Sequence, residues 1–199
     1  MIYNLYDFDG TVYKHECESR FYMFCILHRP YILLLLPYQL ICVLLRYTTK
    51  ERIKWMSRFF CFLRFVNGKK LAERFWQKEQ HNIRDFFAAK KRAYPAVICS
   101  ESPEFLLEPI CRTYNVDILI ATKLNSKTGR NIGDIMRGKN KLDAINMALP
   151  NAEIHSAYTD KPILDMPMVS PAKHKFHVHK NGKITEFEQI IWRKNSHDY

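Results

Sequence analysis

A chain of 199 residues that is 47% hydrophobic and 26% charged has the size of one domain, or of a domain with a modest insertion, and can bury a core without disulfide or metal staples. Those proportions exclude a disordered tail and a low-complexity fibre. Thirty-one Lys and Arg against 20 Asp and Glu leave a net charge of +11, which draws polyanions: nucleic acid, anionic lipid headgroups or a phosphorylated substrate. The six cysteines (Cys17, Cys25, Cys42, Cys61, Cys99, Cys111) lack the close spacing of a zinc ribbon or disulfide framework and read as reduced, buried thiols of a cytoplasmic protein. No basic region precedes Asp7, so a secretory signal is not expected.

In chain order, residues 2–8 (IYNLYDF) read as a buried strand running into an Asp9-Gly10-Thr11 turn. From 16 to 92 the pattern is helical and basic. Apolar residues at three-to-four spacing mark amphipathic helices at 55–66 and 71–87, with Asn67-Gly68 as the turn between them. Between Arg29 and Arg46 lies the apolar run Tyr31–Leu45, interrupted by Pro37 and Gln39 and short of the roughly 20 residues of a spanning helix. It reads as a buried pair of helix turns about a proline kink, with a helix lying in a membrane interface as the alternative. The basic runs Lys69-Lys70 and Lys90-Lys91-Arg92 read as solvated helix faces.

A second strand is expected at Ala96–Cys99, ending at Ser100. Helix 103–114 should follow, with Ser102 as N-cap and Pro103 in its first turn. Strands at Ile118–Thr122 and Ile154–Tyr158 bracket a helix at Lys141–Ala148. Asn181-Gly182 is a hairpin signal between His177–His179 and Lys183–Phe187, and the tail after Trp192 should fray. His174, His177 and His179 fit strand alternation better than a metal site. The alternation after residue 95 predicts an α/β fold with a parallel sheet. The core is expected at 1–15 and 93–199, with 16–92 as an all-helical cap inserted after the first strand.

The sharpest motif is Asp7-Phe8-Asp9-Gly10-Thr11. In an extended segment residues two apart point the same way, so both carboxylates should face one site. They would repel unless a cation lies between them or one is protonated. Mg²⁺ suits such oxygen ligands and leaves room for phosphate. Gly10 permits a sharp turn, and Thr11 offers a hydroxyl and an N–H to a ligand.

This motif resembles the first signature of the haloacid dehalogenase-like (HAD) hydrolases, and the remaining signatures occur in order. Ser100, in the run SESPEFLLEPI, resembles the second signature in its phosphoserine-phosphatase-like branch. GKNKLDAIN supplies the third as Lys141, with Lys139 as the competing register, and SAYTDKPILDMPM supplies the fourth as Asp160 and Asp165. The resemblance covers the chain and implies a Rossmann-like three-layer core and an Mg²⁺-dependent phosphomonoester hydrolase. In that mechanism Asp7 attacks phosphorus and becomes an aspartyl-phosphate, and Asp9 is general acid and then base. Ser100 and Lys141 hold and neutralise the phosphoryl group. The metal would rest on Asp7, the Asp9 carbonyl and Asp160, with Asp165 supporting the metal or Lys141.

The chain departs from the family pattern at Glu101 and Lys161, where small residues are usual, in the Asp160–Asp165 spacing, and at Tyr158-Thr159, which replaces a frequent glycine. Glu101 puts an acid beside the phosphate site. For a substrate such as phosphoserine, Glu16 or Glu18 would meet the amino group and Arg20 the carboxylate. The apolar cap either packs on itself or admits a lipid phosphate at a membrane surface, which would make the protein membrane-peripheral. Functions of another class, basic nucleic-acid binding or a non-catalytic HAD-fold protein, rest on charge alone or run against the intact acids.

Overall fold

The computed structural model describes residues 1–88 and 92–188; Lys90, Lys91 and the tail after Trp192 lie outside them. Six strands form one sheet: β1 (Ile2–Tyr6), β2 (Ala96–Pro103), β3 (Ile118–Thr122), β4 (Glu153–Thr159), β5 (Ala172–Val178) and β6 (Ile184–Glu186). Their order is β3-β2-β1-β4-β5-β6. The first five strands pair in parallel, and β6 returns antiparallel to β5 through the turn at Asn181-Gly182. The α/β class and parallel sheet expected from the sequence are present.

Alternation along the strands separates two apolar layers. Leu5, Val97, Cys99 and Ala157 pack with Ile145 and Leu149 of α7 (Lys139–Ala148) and with Met166, Met168 and Val169 of the short α8 (Met166–Val169). On the other face Tyr6, Ile98 and Ala96 meet Phe105, Leu106 and Ile110 of α6 (Glu104–Thr113). Tyr6, Tyr158 and Phe176 stack across β1, β4 and β5 at centroid separations of 4.8 and 4.9 Å, tying neighbouring strands together at paired positions.

Between β1 and β2 the chain is helical: α1 (Cys17–His28), α2 (Leu36–Thr48), α3 (Arg52–Phe59), α4 (Gly68–Glu79) and α5 (Asp85–Ala88), joined partly by 3-10 turns. An aromatic cluster of Phe21, Phe24, Phe60, Phe62, Phe75 and Trp76 fills this insertion and is continuous with the α6 side of the sheet. Trp76 donates its indole N–H to the Leu106 carbonyl at 2.6 Å, fixing α4 on α6.

Several local expectations change. Helix 71–87 breaks after Glu79, because Arg84 leaves the helical ladder to donate its backbone N–H to Val12. Helix 55–66 ends at Phe59 and continues as a 3-10 turn over Phe60–Phe65. Asn67 is the N-cap of α4, accepting from the Lys70 N–H at 3.0 Å, and is not a free turn. Strand β2 runs on through Ser102, so Pro103 replaces Ser102 before helix α6.

The largest change concerns Tyr31–Leu45. Pro37 sits in the first turn of α2, directly after a 3-10 turn at Pro30–Leu35, and the two make one apolar helical run over Pro30–Thr48. The run is not buried: among the residues of α2 only Gln39 and Cys42 are. All six cysteines are free thiols, and only Cys61 is not fully buried.

Candidate active site

In an open parallel sheet, ligands bind beyond the carboxyl ends of the strands where the strand order reverses. Here β1 leads on to β2 and β3 on one side, and β4 and β5 lie on the other. Asp7 directly follows β1, and Asp160 follows β4. Ser100 lies in β2, beside a register shift. A cavity of about 560 Å³ opens at this edge and is lined by Asp7, Asp9, Ser100, Lys141 and Asp165, together with insertion residues.

Asp7 and Asp9 reach the cavity through a turn, not along an extended strand. Strand β1 ends at Tyr6, and the Phe8 carbonyl accepts the backbone N–H groups of Thr11, Val12 and Tyr13. Gly10 has φ +77° there, and a Cβ at this position would overlap the Asp160 carboxylate. Only glycine satisfies both demands. Arg84, also buried, donates to the Gly10 carbonyl at 3.3 Å and braces the turn. Thr11 is fully buried, and its hydroxyl has no hydrogen-bond partner among the described residues.

The two acids have separate partners. Lys141, in the first turn of α7, donates to Asp7 Oδ1 at 2.7 Å and to Asp165 Oδ1 at 2.8 Å. The other Asp165 oxygen accepts from the Thr159 hydroxyl at 2.7 Å. Lys139 is exposed, so the helix register brings Lys141 alone of the two to the acids. Burial pushes the Asp7 carboxyl up, to about 8, with Lys141 pulling it down and Asp165 and Asp160 adding to the rise. Burial alone would favour a neutral Lys141, but Asp7 and Asp165 outweigh it and hold the ammonium well above its usual range.

Asp9 instead accepts the Cys17 backbone N–H at 2.6 Å and the Ser102 hydroxyl at 2.6 Å. It thereby caps α1, where Glu16 makes no side-chain cap, and its charge suits the helix N-terminus. Burial pushes its pKa up to about 6, while the bonds from Ser102 and Cys17 restrain the rise. The repulsion between two acids on one face is thus met by separate hydrogen-bond sets, one ammonium-centred and one made of neutral donors.

Asp7, Asp160 and Asp165 can bring one oxygen each within 4.8 Å of one another. Asp160 Oδ1 is buried with no hydrogen-bond partner among the described residues. An orphaned carboxylate oxygen beside a second carboxylate is costly alone and fits a hard divalent cation. Both Asp165 oxygens accept hydrogen bonds, from Lys141 and from Thr159, so Asp165 positions the lysine and also stands in the acidic cluster. The Asp9 carboxylate, held by Ser102 and Cys17, is not among these ligand candidates, which leaves only its carbonyl for that role.

Around the cavity the insertion supplies an ion-pair chain. Arg46 of α2 joins Glu18 of α1 at 2.9 Å to Glu101 at 2.8 Å, and Arg137 meets the second Glu101 oxygen at 2.7 Å. Burial raises Glu101, but Arg46 and Arg137 outweigh it and leave it below the usual range. Glu18 is pushed up to about 7 by burial despite Arg46. Glu101 is therefore a neutralised wall residue, not a bare acid facing phosphate.

Glu16 also lines the cavity, paired with Lys161 at 3.1 Å. Arg20 does not line it. Its guanidinium holds Glu79 at 2.8 and 2.9 Å, and the Tyr13 hydroxyl shares that carboxylate at 2.6 Å. The expected amino-acid clamp of Glu16 or Glu18 with Arg20 is not assembled. The cavity's guanidiniums are Arg46 and Arg137, whose distance in sequence from the first motif hid them. Ser102 was hidden differently: the run SESP looks like a cap before a helix, yet Ser102 Oγ reaches Asp9 across the strand end.

A family model described as haloacid dehalogenase-like hydrolase matches residues 5–170. The chain belongs to this family. The span takes in both strand-end acids, Lys141 and the Asp160–Asp165 pair. No curated protein matches this HAD hydrolase in sequence. Among solved structures it is similar to a protein of unknown function from Bordetella pertussis Tohama I (TM-score 0.65, 16% identity, 86% of this chain and 88% of that one). It is also similar to a HAD family hydrolase from Salmonella enterica serovar Typhi (TM-score 0.57, 15% identity, 86% of this chain and 60% of that one). Both likenesses concern the fold.

Proposed function

We propose that the protein is an Mg²⁺-dependent phosphomonoester hydrolase that works through an aspartyl-phosphate on Asp7. The observation that carries this reading is the contact of Lys141 with Asp7 and Asp165 at 2.7 and 2.8 Å, directly beside an orphaned Asp160 oxygen. Asp7, Asp160 and the Asp9 carbonyl would hold the metal. When bound, Mg²⁺ supplies positive charge that keeps Asp7 ionised and balances the incoming phosphate.

Asp7 Oδ attacks phosphorus while the P–O bond to the leaving alcohol breaks. Asp9, with its pKa raised to about 6, donates a proton to that alcohol oxygen and becomes a carboxylate. It then takes a proton from the water that cleaves the acyl phosphate, releasing phosphate and restoring Asp7. Ser100 and Lys141 meet phosphoryl oxygens, where charge grows in the transition state. The Ser102 hydroxyl is a positioning group that orients Asp9. Residues 16–92 act as the cap over this site, and 1–15 with 93–199 as the catalytic core.

The test is phosphate release from an aryl phosphate by wild type and Asp7→Asn, each with Mg²⁺ and with EDTA. Metal-dependent release by wild type alone is expected. Equal release by both proteins would refute the mechanism.

A further inference from the structure

Helix α2 has the reverse of an ordinary soluble amphipathic pattern. Its polar residues point inward: Gln39 is buried, bonds the Tyr22 hydroxyl and donates to the Phe59 carbonyl at 3.1 Å, while Arg46 is tied to Glu18 and Glu101. The outward side chains are mainly apolar, with Tyr38, Tyr47 and Thr48 beside them. Leu40, Ile41 and Leu44 are 54–62% exposed, and Leu34 just before the helix is 84% exposed. Leu27, Tyr31 and Phe65, from the neighbouring elements, are exposed as well, with the Tyr31 hydroxyl donating to the Phe65 carbonyl at 2.8 Å. A contiguous apolar face of this kind marks a contact with something apolar.

We propose that the outer face of α2 docks on an anionic lipid bilayer, lying in the interface plane. Charge selects this occupant. Residues 16–92 hold sixteen Lys and Arg against six Asp and Glu, so nearly all of the +11 surplus lies in the segment that carries the patch. Two copies meeting face to face through it would repel, whereas an anionic headgroup layer complements it. On α3, Trp55 lies beneath both Lys54 and Arg58, at 5.6 and 4.6 Å from its ring, the aromatic and basic mixture that suits the headgroup boundary. A spanning arrangement does not fit. The helical run Pro30–Thr48 is long and apolar enough to cross a membrane, but Gln39 is bonded to Tyr22 and Phe59 and Arg46 to Glu18 and Glu101, and these contacts hold one side of the helix against the domain.

The same helix walls the cavity, through Val43, Arg46 and Tyr47. Docking therefore sets the cavity mouth at the headgroup layer. The phosphate ester taken there is one carried on a membrane lipid, a substrate class that rests on the hydrolase reading above, whereas docking itself does not.

The test is sedimentation of the full chain with phosphatidylcholine vesicles, with and without phosphatidylglycerol, using wild type and Leu40→Gln/Ile41→Gln/Leu44→Gln. Wild type should partition onto the anionic vesicles, and the triple variant at least about tenfold less, because three side chains lose apolar burial. Binding should also fall several-fold when salt rises from about 0.1 to about 1 M. Asp7→Asn, which removes chemistry only, should partition as wild type does. No wild-type binding to anionic vesicles, or equal binding by the triple variant, would overturn docking. So would a wild-type dimer that the triple variant makes monomeric.

Substrate class is read separately, with phosphatidic acid in the vesicles against a soluble aryl phosphate. The triple variant should lose about tenfold or more on the vesicle substrate, in step with its lost partition, and retain the soluble activity. An equal rate on vesicles would overturn the lipid assignment. Absence of aryl phosphate hydrolysis in wild type would instead overturn the hydrolase reading and leave the docking result standing.

Discussion

The strand-end site and the outer face of α2 treat exposure in opposite ways. At the site, charged groups are buried and nearly every oxygen has a named partner: Asp7 with Lys141, Asp165 with Lys141 and Thr159, Asp9 with Ser102 and Cys17. On α2, leucines face water while Gln39 and Arg46 are turned inward. Each region departs from the usual distribution of polar and apolar residues, and in each some groups are left without a partner among the described residues. The orphaned Asp160 oxygen is what the proposed cation would meet, and the uncovered Leu40, Ile41 and Leu44 are what the proposed bilayer would cover.

Substitutions in the two regions should therefore differ in kind, and the largest effect belongs to the site. Lys141→Met leaves Asp7 and Asp165 buried without their ammonium, which costs about 3–5 kcal/mol of stability. Chemical denaturation should show this loss along with abolished phosphatase activity. A stable, active Lys141→Met protein would mean that the buried triad is not the organising centre. Gly10→Ala comes next, since it strains a residue at φ +77° and drives a methyl group into Asp160. A loss of about 1–3 kcal/mol should appear in thermal melts, together with weakened Mg²⁺ activation.

A smaller effect concerns Asp9 and carries a definite pH sign. Its folded pKa, about 6, lies above the ordinary 3.8 because of burial. Its protonated form thus contributes stability that is fully present below about pH 4 and is lost as pH rises through about 6. Asp9→Asn should accordingly gain stability relative to wild type between those values, as read by melts across the range. Ser102→Ala removes a bond that restrains the rise, so the alkaline limb of the activity profile should move to higher pH. A fixed limb would separate Ser102 from Asp9.

The least disruptive change lies on the other side of the comparison. The triple glutamine variant of α2 should melt within about 0.5 kcal/mol of wild type, because its side chains touch little in the folded chain. A large loss would show that this face is structural after all.

The parts of the molecule visible in the sequence were those dictated by local pattern. The Asp9-Gly10-Thr11 turn, the strands around it, the Asn181-Gly182 hairpin and the order of the signatures all follow from residues close together in the chain. What stayed hidden depended on contacts over long separations. Ser102 looks like a helix cap until the fold brings it across to Asp9, 93 positions away. Arg46 looks like the basic flank of an apolar run, and its true partners are Glu18 and Glu101. That pairing also explains why burial of Tyr31–Leu45 was the wrong expectation: once the polar edge of α2 is drawn inward, its leucines must face out. The competition between Lys139 and Lys141 was decided by helix register, which composition alone does not set.

The central claim is that Asp7 becomes phosphorylated during turnover. Rapid acid quench of wild type with substrate and Mg²⁺, followed by peptide mass spectrometry, tests it most directly. Phosphate on the Asp7-containing peptide of wild type, and none on that of Asp7→Asn, is the predicted result. Turnover with no phosphate at Asp7, or with phosphate on another residue, would contradict the account.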